Sequence, residues 1–400
     1  MPRPPTLLFV AMSESIHTAR WVNQLDGLGW NVHLFPSIDQ GIVHPELRNA
    51  RVHHSVYGDP AEWKAQVPQS GIYVWHHGVA WVIRRFLNLE RRGYRARQLA
   101  RLIRRLRPDL VHSLELQAAG YLTLEAKRRL DGKFPPWMAT NWGSDVALFG
   151  RLEEHRDRIR RILAECDYYG CECERDVRLA REHGMRGEPL PVTPNGGGFD
   201  LAAARRLRSS EPPSRRRVIM VKGYQTWAGR ALVAIRALAR CAELLKPYQV
   251  VVHSPSEDVK LAAQLLAADK GVDVLVLPPF QTHETILGHH GRARISIGLS
   301  IGDGISTSLL EALLMGAFPI QSDTACTAEW LVDGRTGMIV PPEDPDAVER
   351  ALRTALADDA LVDAAAEENW RLAEQRLDAK VLRRRAIEMY ERVLHQTPRS

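Results

Sequence analysis

Short apolar runs return along almost the whole chain, and between them lie longer stretches with helical spacing. TLLFVA (6–11), NVHLFP (31–36), IYVWHH (72–77), LVHS (110–113), WMATNW (137–142) and YYGCEC (168–173) form one series, with a helical pattern over 17–28 between the first two. Strands that alternate with helices are joined by crossovers, and crossovers build a parallel sheet with helices on its faces. A polar run with two prolines, LRSSEPPSRRR (207–217), interrupts the rhythm. It restarts with VIMVKG (218–223), YQVVVHS (248–254), VDVLVLP (272–278), RISIGLS (294–300), FPIQS (318–322) and MIVPP (338–342). Four hundred residues are too many for one ordinary core. The chain is therefore predicted to be α/β, with a first domain over 1–207, a linker over 208–217 and a second domain over 218–378. A last helix, about 379–396, is expected to pack back on the first domain. Open α/β sheets bind ligands at the carboxyl ends of their strands, so the expected site is a cleft between the domains.

Composition narrows the class. Apolar residues make up 45% and charged residues 26%, the balance of a globular protein. No apolar run approaches the roughly twenty residues that span a bilayer. The N-terminal MPRPPTLLFVAMSESIH lacks the h-region and cleavage site of a signal peptide. Five irregularly spaced cysteines are no disulfide framework. These features point to the cytoplasm. The net charge of +6 is concentrated between Arg84 and Arg107, where ten Arg and one Glu stand. Phe86, Leu87, Leu89, Leu99, Leu102, Ile103 and Leu106 recur between those arginines at helical spacing. Two readings stay open: a surface for anionic lipid or another polyanion, or a solvated outer helix. Lipid binding would place the protein peripherally on the inner face of the plasma membrane. Nucleic acid is not expected, since few aromatics interleave and no known module is present.

The most informative stretch is GISTSLLEALLMGAFPIQS (304–322). Its helical part is apolar nearly all round, as in a buried helix, yet it carries Glu311. A buried carboxylate must be neutral or paired. Gly304 permits close backbone approach, and Ser306, Thr307 and Ser308 are good caps. Free N–H groups and the helix dipole at that end suit a phosphate, and a carboxylate nearby can accept from two ribose hydroxyls. A structural ion pair is the competing explanation of Glu311. VKGYQTWAGR (221–230) adds Lys222 after a strand and Arg230 at a helix start, two cations suited to a diphosphate.

The stretch 300–342, SIGDGISTSLLEALLMGAFPIQSDTACTAEWLVDGRTGMIVPP, resembles the donor-binding signature of GT-B fold glycosyltransferases, specifically the retaining family 4 group, glycosyl transferases group 1. That family carries two acids separated by seven residues. Here they are Asp303, where Glu is usual, and Glu311. The resemblance implies a GT-B architecture: two Rossmann-like domains with parallel sheets facing across a cleft. It implies Lys222 and Arg230 on the donor diphosphate, Asp303 on sugar hydroxyls and Glu311 on the ribose. Gly223, His253, Ser254, Gly304 and Ser306–Ser308 would line the donor pocket. PDLVHSLE (108–115) resembles the family's Pro-Asp-hydrophobic-hydrophobic-His segment and makes His112 a catalytic candidate. NWGSD (141–145) resembles its Gly-x-Asp loop, with Asn141 and Trp142 where the family often has His, and TPNGGGFD (193–200) its Asn-Gly-x-Asp turn. His17, Asn141, Trp142, Asp145, Asn195 and Gly196 would thus lie on the acceptor side.

The implied reaction moves a sugar from a nucleoside diphosphate to an acceptor hydroxyl with retention. Two cations and a helix N-terminus take up the leaving-group charge, so neither metal nor separate cofactor is expected. UDP is the default donor base, with GDP and dTDP open, and binding to lipid through the basic patch would make the acceptor lipid-linked. A nucleotide-sugar epimerase and a non-catalytic polyanion-binding protein are the alternatives.

Overall fold

The computed structural model describes residues 3–58, 64–90, 93–130, 134–279 and 281–396. Two compact units form, one of Met1–Gly197 with Val381–Ser400 and one of Gly198–Lys380. Within each, every described strand pairs in parallel with its neighbours.

The first sheet contains β1 (Thr6–Ala11), β2 (Asn31–Pro36), β3 (Arg51–Tyr57), β4 (Gln69–Tyr73), β5 (Leu110–Leu114), β6 (Trp137–Thr140), β7 (Tyr168–Gly170) and β8 (Glu188–Pro189), in the order β4-β3-β2-β1-β5-β6-β7-β8. Alternate residues of a strand face opposite ways. Leu8 and Val10 of β1 therefore join Val111, Trp137 and Ala139 in one core. Leu7 and Phe9 join Leu34, Leu110 and Tyr390 in the other. Tyr390 belongs to the last helix, Ala379–Gln396, which closes that face.

The second sheet contains β9 (Val218–Lys222), β10 (Gln249–His253), β11 (Asp273–Val276), β12 (Ala293–Gly298), β13 (Phe318–Ser322) and β14 (Met338–Val340), in the order β11-β10-β9-β12-β13-β14. Counted within the unit this is 3-2-1-4-5-6, the doubly wound order, whose direction reverses between β9 and β12. Ile219, Val221, Val250, Val252, Ile295 and Ile297 form its core with Ala234 and Leu238 of helix Ala231–Arg240. Strands covered on both faces read as continuous apolar runs, which is why this half is so legible in the sequence.

Three expectations need correction. The first unit ends at Gly197, not 207, and residues 208–217 are no free linker. Arg216 is buried and donates to the carbonyls of Ala293 and Met315 at 3.3 and 3.0 Å, while Ser214 bonds Asp363. Polar residues that look linker-like thus satisfy carbonyls of the second unit. The run 72–77 is not one strand, since β4 stops at Tyr73 and a helix starts at His77; β3 was not anticipated at all. Finally, the Arg84–Arg107 segment is not one amphipathic surface. In helix Tyr94–Leu106 the apolar residues Leu99, Leu102 and Ile103 are core, and Arg101, Arg104 and Arg105 face out. Arg84 is itself buried, donating to Val56 O at 2.7 Å. Arg91, Arg92 and the side chain of Leu89 lie outside the described residues.

Candidate active site

The second unit assembles its polar groups where the strand order reverses. Lys222 ends β9, and the loop leaving β12 returns beside it. Lys222 Nζ stands 3.3 Å from Ser306 Oγ and 3.8 Å from Asp303 Oδ2. Ser306 is the N-cap of helix Thr307–Met315, yet its hydroxyl makes no capping bond. The first N–H groups of that helix have no carbonyl a turn earlier to bond. A positive side chain and a helix N-terminus therefore meet at one point, the arrangement that holds phosphate.

The loop is pinned from two sides. Gly304 O accepts from Cys326 N at 2.8 Å. Segment 228–230 bridges it antiparallel through Gly229 and Ser300, with Ile301 N on Ala228 O at 2.8 Å and Arg230 N on Leu299 O at 3.0 Å. Only glycine fits at 229, because a Cβ would lie 1.9 Å from Tyr224 O. Arg230 is thereby fixed to the same loop, where Nε meets Glu343 Oε1 at 2.8 Å and Nη1 donates to Gly229 O at 2.8 Å. Gly223 is equally constrained: its N–H bonds His253 O, and a Cβ would come within 2.7 Å of Pro255 Cα. Ser254, next along, is exposed with φ at +50°.

Glu311 is buried, and it has partners within the protein. His283 Nε2 donates to its Oε1 at 3.0 Å, and His290 Nε2 lies 3.6 Å from its Oε2, beyond hydrogen-bond reach. The sequence-based expectation that ligand hydroxyls alone pair with Glu311 is corrected to that extent. Burial opposes its ionisation, and the His283 hydrogen bond with the neighbouring imidazoles outweighs it, holding the carboxyl below its ordinary value. Burial keeps His290 neutral, so the direct bond from His283 is the stronger cause. His253, expected in the donor pocket, is instead buried behind this cluster, its ring 5.8 Å from that of His290 and its pKa pushed down to about 3 by burial. His283 and His290, seven apart on helix His283–Gly291, were missed; that i, i+7 spacing on one face was the available signal.

In the first unit the expected residues separate into two kinds. His17 and Trp142 are part exposed and meet edge-on with ring centroids 5.9 Å apart. Asn195 Nδ2 donates to Asn141 O at 3.3 Å, and beside it Gly196 has open space where a Cβ would go. Asn141 and Asp145 are buried and engaged in holding loops. Asn141 Nδ2 donates to Asp176 at 2.8 Å, and Asp145 Oδ2 accepts from the N–H groups of Trp142 and Leu116, both at 2.9 Å. These bonds hold the loop 141–145 to the rest of the first unit.

His112 is corrected most plainly. It is wholly buried, with Nδ1 2.7 Å from Tyr390 Oη and Nε2 2.7 Å from Thr140 Oγ1. Trp21 Nε1 donates to the same Tyr390 hydroxyl at 2.8 Å, so that hydroxyl donates onward to His112 Nδ1, and His112 Nε2–H donates to Thr140. Burial pushes its pKa down to about 3. A neutral imidazole with both nitrogens taken is packing, not catalysis.

Known proteins resemble this chain in family and in fold. The model of Glycosyltransferase Family 4 matches residues 15–196, and that of Glycosyl transferases group 1 matches residues 205–372. Sucrose-phosphate synthase from Thermosynechococcus elongatus superposes with a TM-score of 0.71 at 15% identity, over 98% of this chain and 100% of its own.

This chain is a GT-B glycosyltransferase.

Two further structures carry the fold of the glycosyltransferase at low identity. HepE of Anabaena in complex with UDP-glucose aligns at TM-score 0.63 and 13% identity, covering 96% of this chain and 99% of that one. Trehalose 6-phosphate synthase from Burkholderia multivorans aligns at 0.64 and 12%, covering 98% of each. No curated protein sequence matches the chain. The one Asp-x-Asp of the glycosyltransferase, Asp344-Pro345-Asp346, has structural employment: Asp344 caps helix Pro345–Ala357 through Asp346 N and Ala347 N, and Asp346 pairs with Arg240.

Proposed function

We propose that this glycosyltransferase moves a sugar from a UDP-sugar to a hydroxyl of its acceptor, retaining the anomeric configuration and using no metal ion, in the assembly of a polysaccharide, glycolipid or other glycoconjugate. The observation that carries this reading is the meeting of Lys222, Asp303 and Ser306 at the reversal point of the second sheet, in front of the first N–H groups of helix Thr307–Met315. Diphosphate binds to Lys222 and those N–H groups, and Arg230 joins by exchanging Glu343 for a phosphate oxygen. Glu311 keeps Oε1 on His283, and Oε2 accepts from a ribose hydroxyl. Asp303 takes sugar hydroxyls. That the similar Anabaena structure holds UDP-glucose supports the choice of base.

In the reaction the bond from C1 to the diphosphate oxygen breaks, and the acceptor oxygen bonds C1 on the same face. The acceptor proton passes to the departing phosphate. Charge grows on that phosphate as the bond breaks, and groups aimed there beforehand lower the barrier. Lys222, Arg230 and the helix N-terminus supply the positive charge a metal ion would otherwise bring. His17 and Trp142 face the acceptor.

Thermal shift with UDP-, GDP- and dTDP-sugars, each with and without EDTA, tests the donor. A nucleotide at a hundred times its Kd stabilises by about 2.7 kcal/mol. A rise in Tm with UDP-sugars that survives EDTA and is lost in Glu311→Ala is expected. No rise with any nucleotide, in folded protein, removes the reading. The anomeric proton coupling of the product by NMR decides retention.

A further inference from the structure

Large apolar side chains are exposed unevenly. Of the fifteen that stand in solvent among the described residues, seven lie between 72 and 86, on β4, helix His77–Glu90 and the bend that joins them. Trp75 is 79% exposed, Phe86 61% and Ile72 60%. One apolar residue in water needs no explanation, but a contiguous group marks a surface made for a partner.

The helix shows that this is not a local accident of a loose loop. At 3.6 residues per turn, Val79, Val82 and Phe86 share a stripe, with Trp81 and Arg85 beside it. All five are exposed. The opposite face carries Ala80 and Arg84, both buried, and Arg84 spends a hydrogen bond on Val56 O at 2.7 Å. A charge therefore points inward while tryptophan, valine and phenylalanine point outward. That is the reverse of a helix built to rest on a core under water. β4 is also the edge of its sheet, so Ile72 and Tyr73 extend the same apolar surface.

Charge identifies the partner. From Lys64 to Pro108 the sequence holds one acid, Glu90. Arg85 stands beside Trp81, its guanidinium carbon 5.7 Å from the ring. Arg101, Arg104 and Arg105 face outward from the following helix, which packs against this one. Tryptophan and tyrosine settle at the level of lipid headgroups, apolar side chains reach the acyl boundary, and arginine draws anionic headgroups. No helix of the described residues is long and apolar enough to cross a membrane, so the contact is one of lying on the surface. A protein partner would have to present a strongly acidic apolar face, whereas an anionic bilayer offers both features at once.

We propose that β4 and helix His77–Glu90 dock the protein on an anionic lipid bilayer, with Trp75, Trp81, Val82 and Phe86 entering the interface and the arginines of helix Tyr94–Leu106 adding electrostatic attraction. This does not rest on the donor reading. The basic helix alone does not provide the docking surface, because its apolar side chains are spent in the core.

The test uses the full chain and vesicles of phosphatidylcholine, pure or with phosphatidylglycerol at a ratio of roughly 7 to 3. Flotation should show binding to the anionic vesicles at least about tenfold tighter than to the neutral ones, with tryptophan emission shifted to the blue and quenched by bromine-labelled acyl chains. Trp75→Ser, Trp81→Ser and Phe86→Ser together should weaken binding by about tenfold or more and abolish the quenching. Their exposed positions should leave Tm and any nucleotide-induced rise in Tm unchanged. Arg101→Gln with Arg105→Gln should reduce the preference for phosphatidylglycerol and the salt sensitivity while keeping the emission shift. Equal vesicle binding by wild type and the triple variant overturns the proposal, as does absence of binding. A wild-type dimer that the triple variant converts to monomer overturns it too, since a second copy then covers the face. Vesicle binding that follows this pattern in a protein deaf to nucleotides would sustain docking while the donor reading fell.

Discussion

A carboxylate inside an apolar helix stays ionised only if its lost hydration is offset. At Glu311 the His283 N–H does this from one side, and in the proposed site the second oxygen, 3.6 Å from His290 Nε2, accepts from the ribose. His283→Ala should therefore raise the KM for a UDP-sugar more than it lowers kcat, because it unsettles an oxygen acceptor and not the leaving group; steady-state kinetics separates the two. Lys222→Ala should act the other way, lowering kcat by about 10²- to 10³-fold, the loss typical of removing one charge-stabilising donor. Buried histidines give a third expectation. His112 and His253 each have a pKa near 3 in the folded protein and an ordinary one when unfolded. The unfolded chain thus binds protons first as pH falls below about 6.5, so stability is full above that value and declines toward the folded pKa. By linkage each costs about 2 kcal/mol at pH 5. Urea unfolding at pH 7.5 and 5 should show the decline, and His112→Gln should be less stable at the higher pH but decline less steeply.

Elements differ in how openly they announce themselves. β9, β10 and β12 are apolar runs covered on both faces, and they stand where the sequence indicates within a residue or two. β3 does not, because RVHHSVY carries two histidines in its middle. Their polarity is absorbed by contacts from elsewhere in the chain: His53 meets His33 at 2.9 Å and Ser70 at 2.7 Å, and His54 meets Asp39 at 2.9 Å. Such partners lie many residues away and leave no local periodicity. The last helix is a similar case. Its pattern is visible, but that Tyr390 would anchor the hydroxyl chain from Trp21 through His112 to Thr140 is not. Tyr390→Phe removes a methylene-sized polar atom and leaves two buried groups unpaired. It should destabilise by about 1–3 kcal/mol for each, read from the denaturation midpoint, with the nucleotide-induced rise in Tm retained.

For the molecule as a whole, the doubly wound order of the second sheet says where a ligand should be felt. Hydrogen exchange with UDP should slow most at the amides after β9, in the loop 299–306 and in the first turn of helix Thr307–Met315; protection centred on β11 or β14 would contradict the proposed site. That a chain of this pattern makes two parallel α/β sheets, and that Lys222, Asp303, Ser306 and Glu311 lie near the start of one helix, follow from local order: apolar runs, glycines, caps and the distance of a residue from a strand end. These are properties of neighbours in sequence, and neighbours can be read. Which polar residues are used up internally is another matter. His112 looked like an acid or base and is buried with both ring nitrogens engaged; Arg84 looked like surface and is buried; residues 72–77 looked like one strand, and Trp75 stands in solvent between a strand and a helix. Burial and pairing depend on what the fold brings in from far along the chain, 28 residues for Arg84 with Val56 and 278 for His112 with Tyr390. A single stretch of chain holds no record of that until the sheets have closed around it.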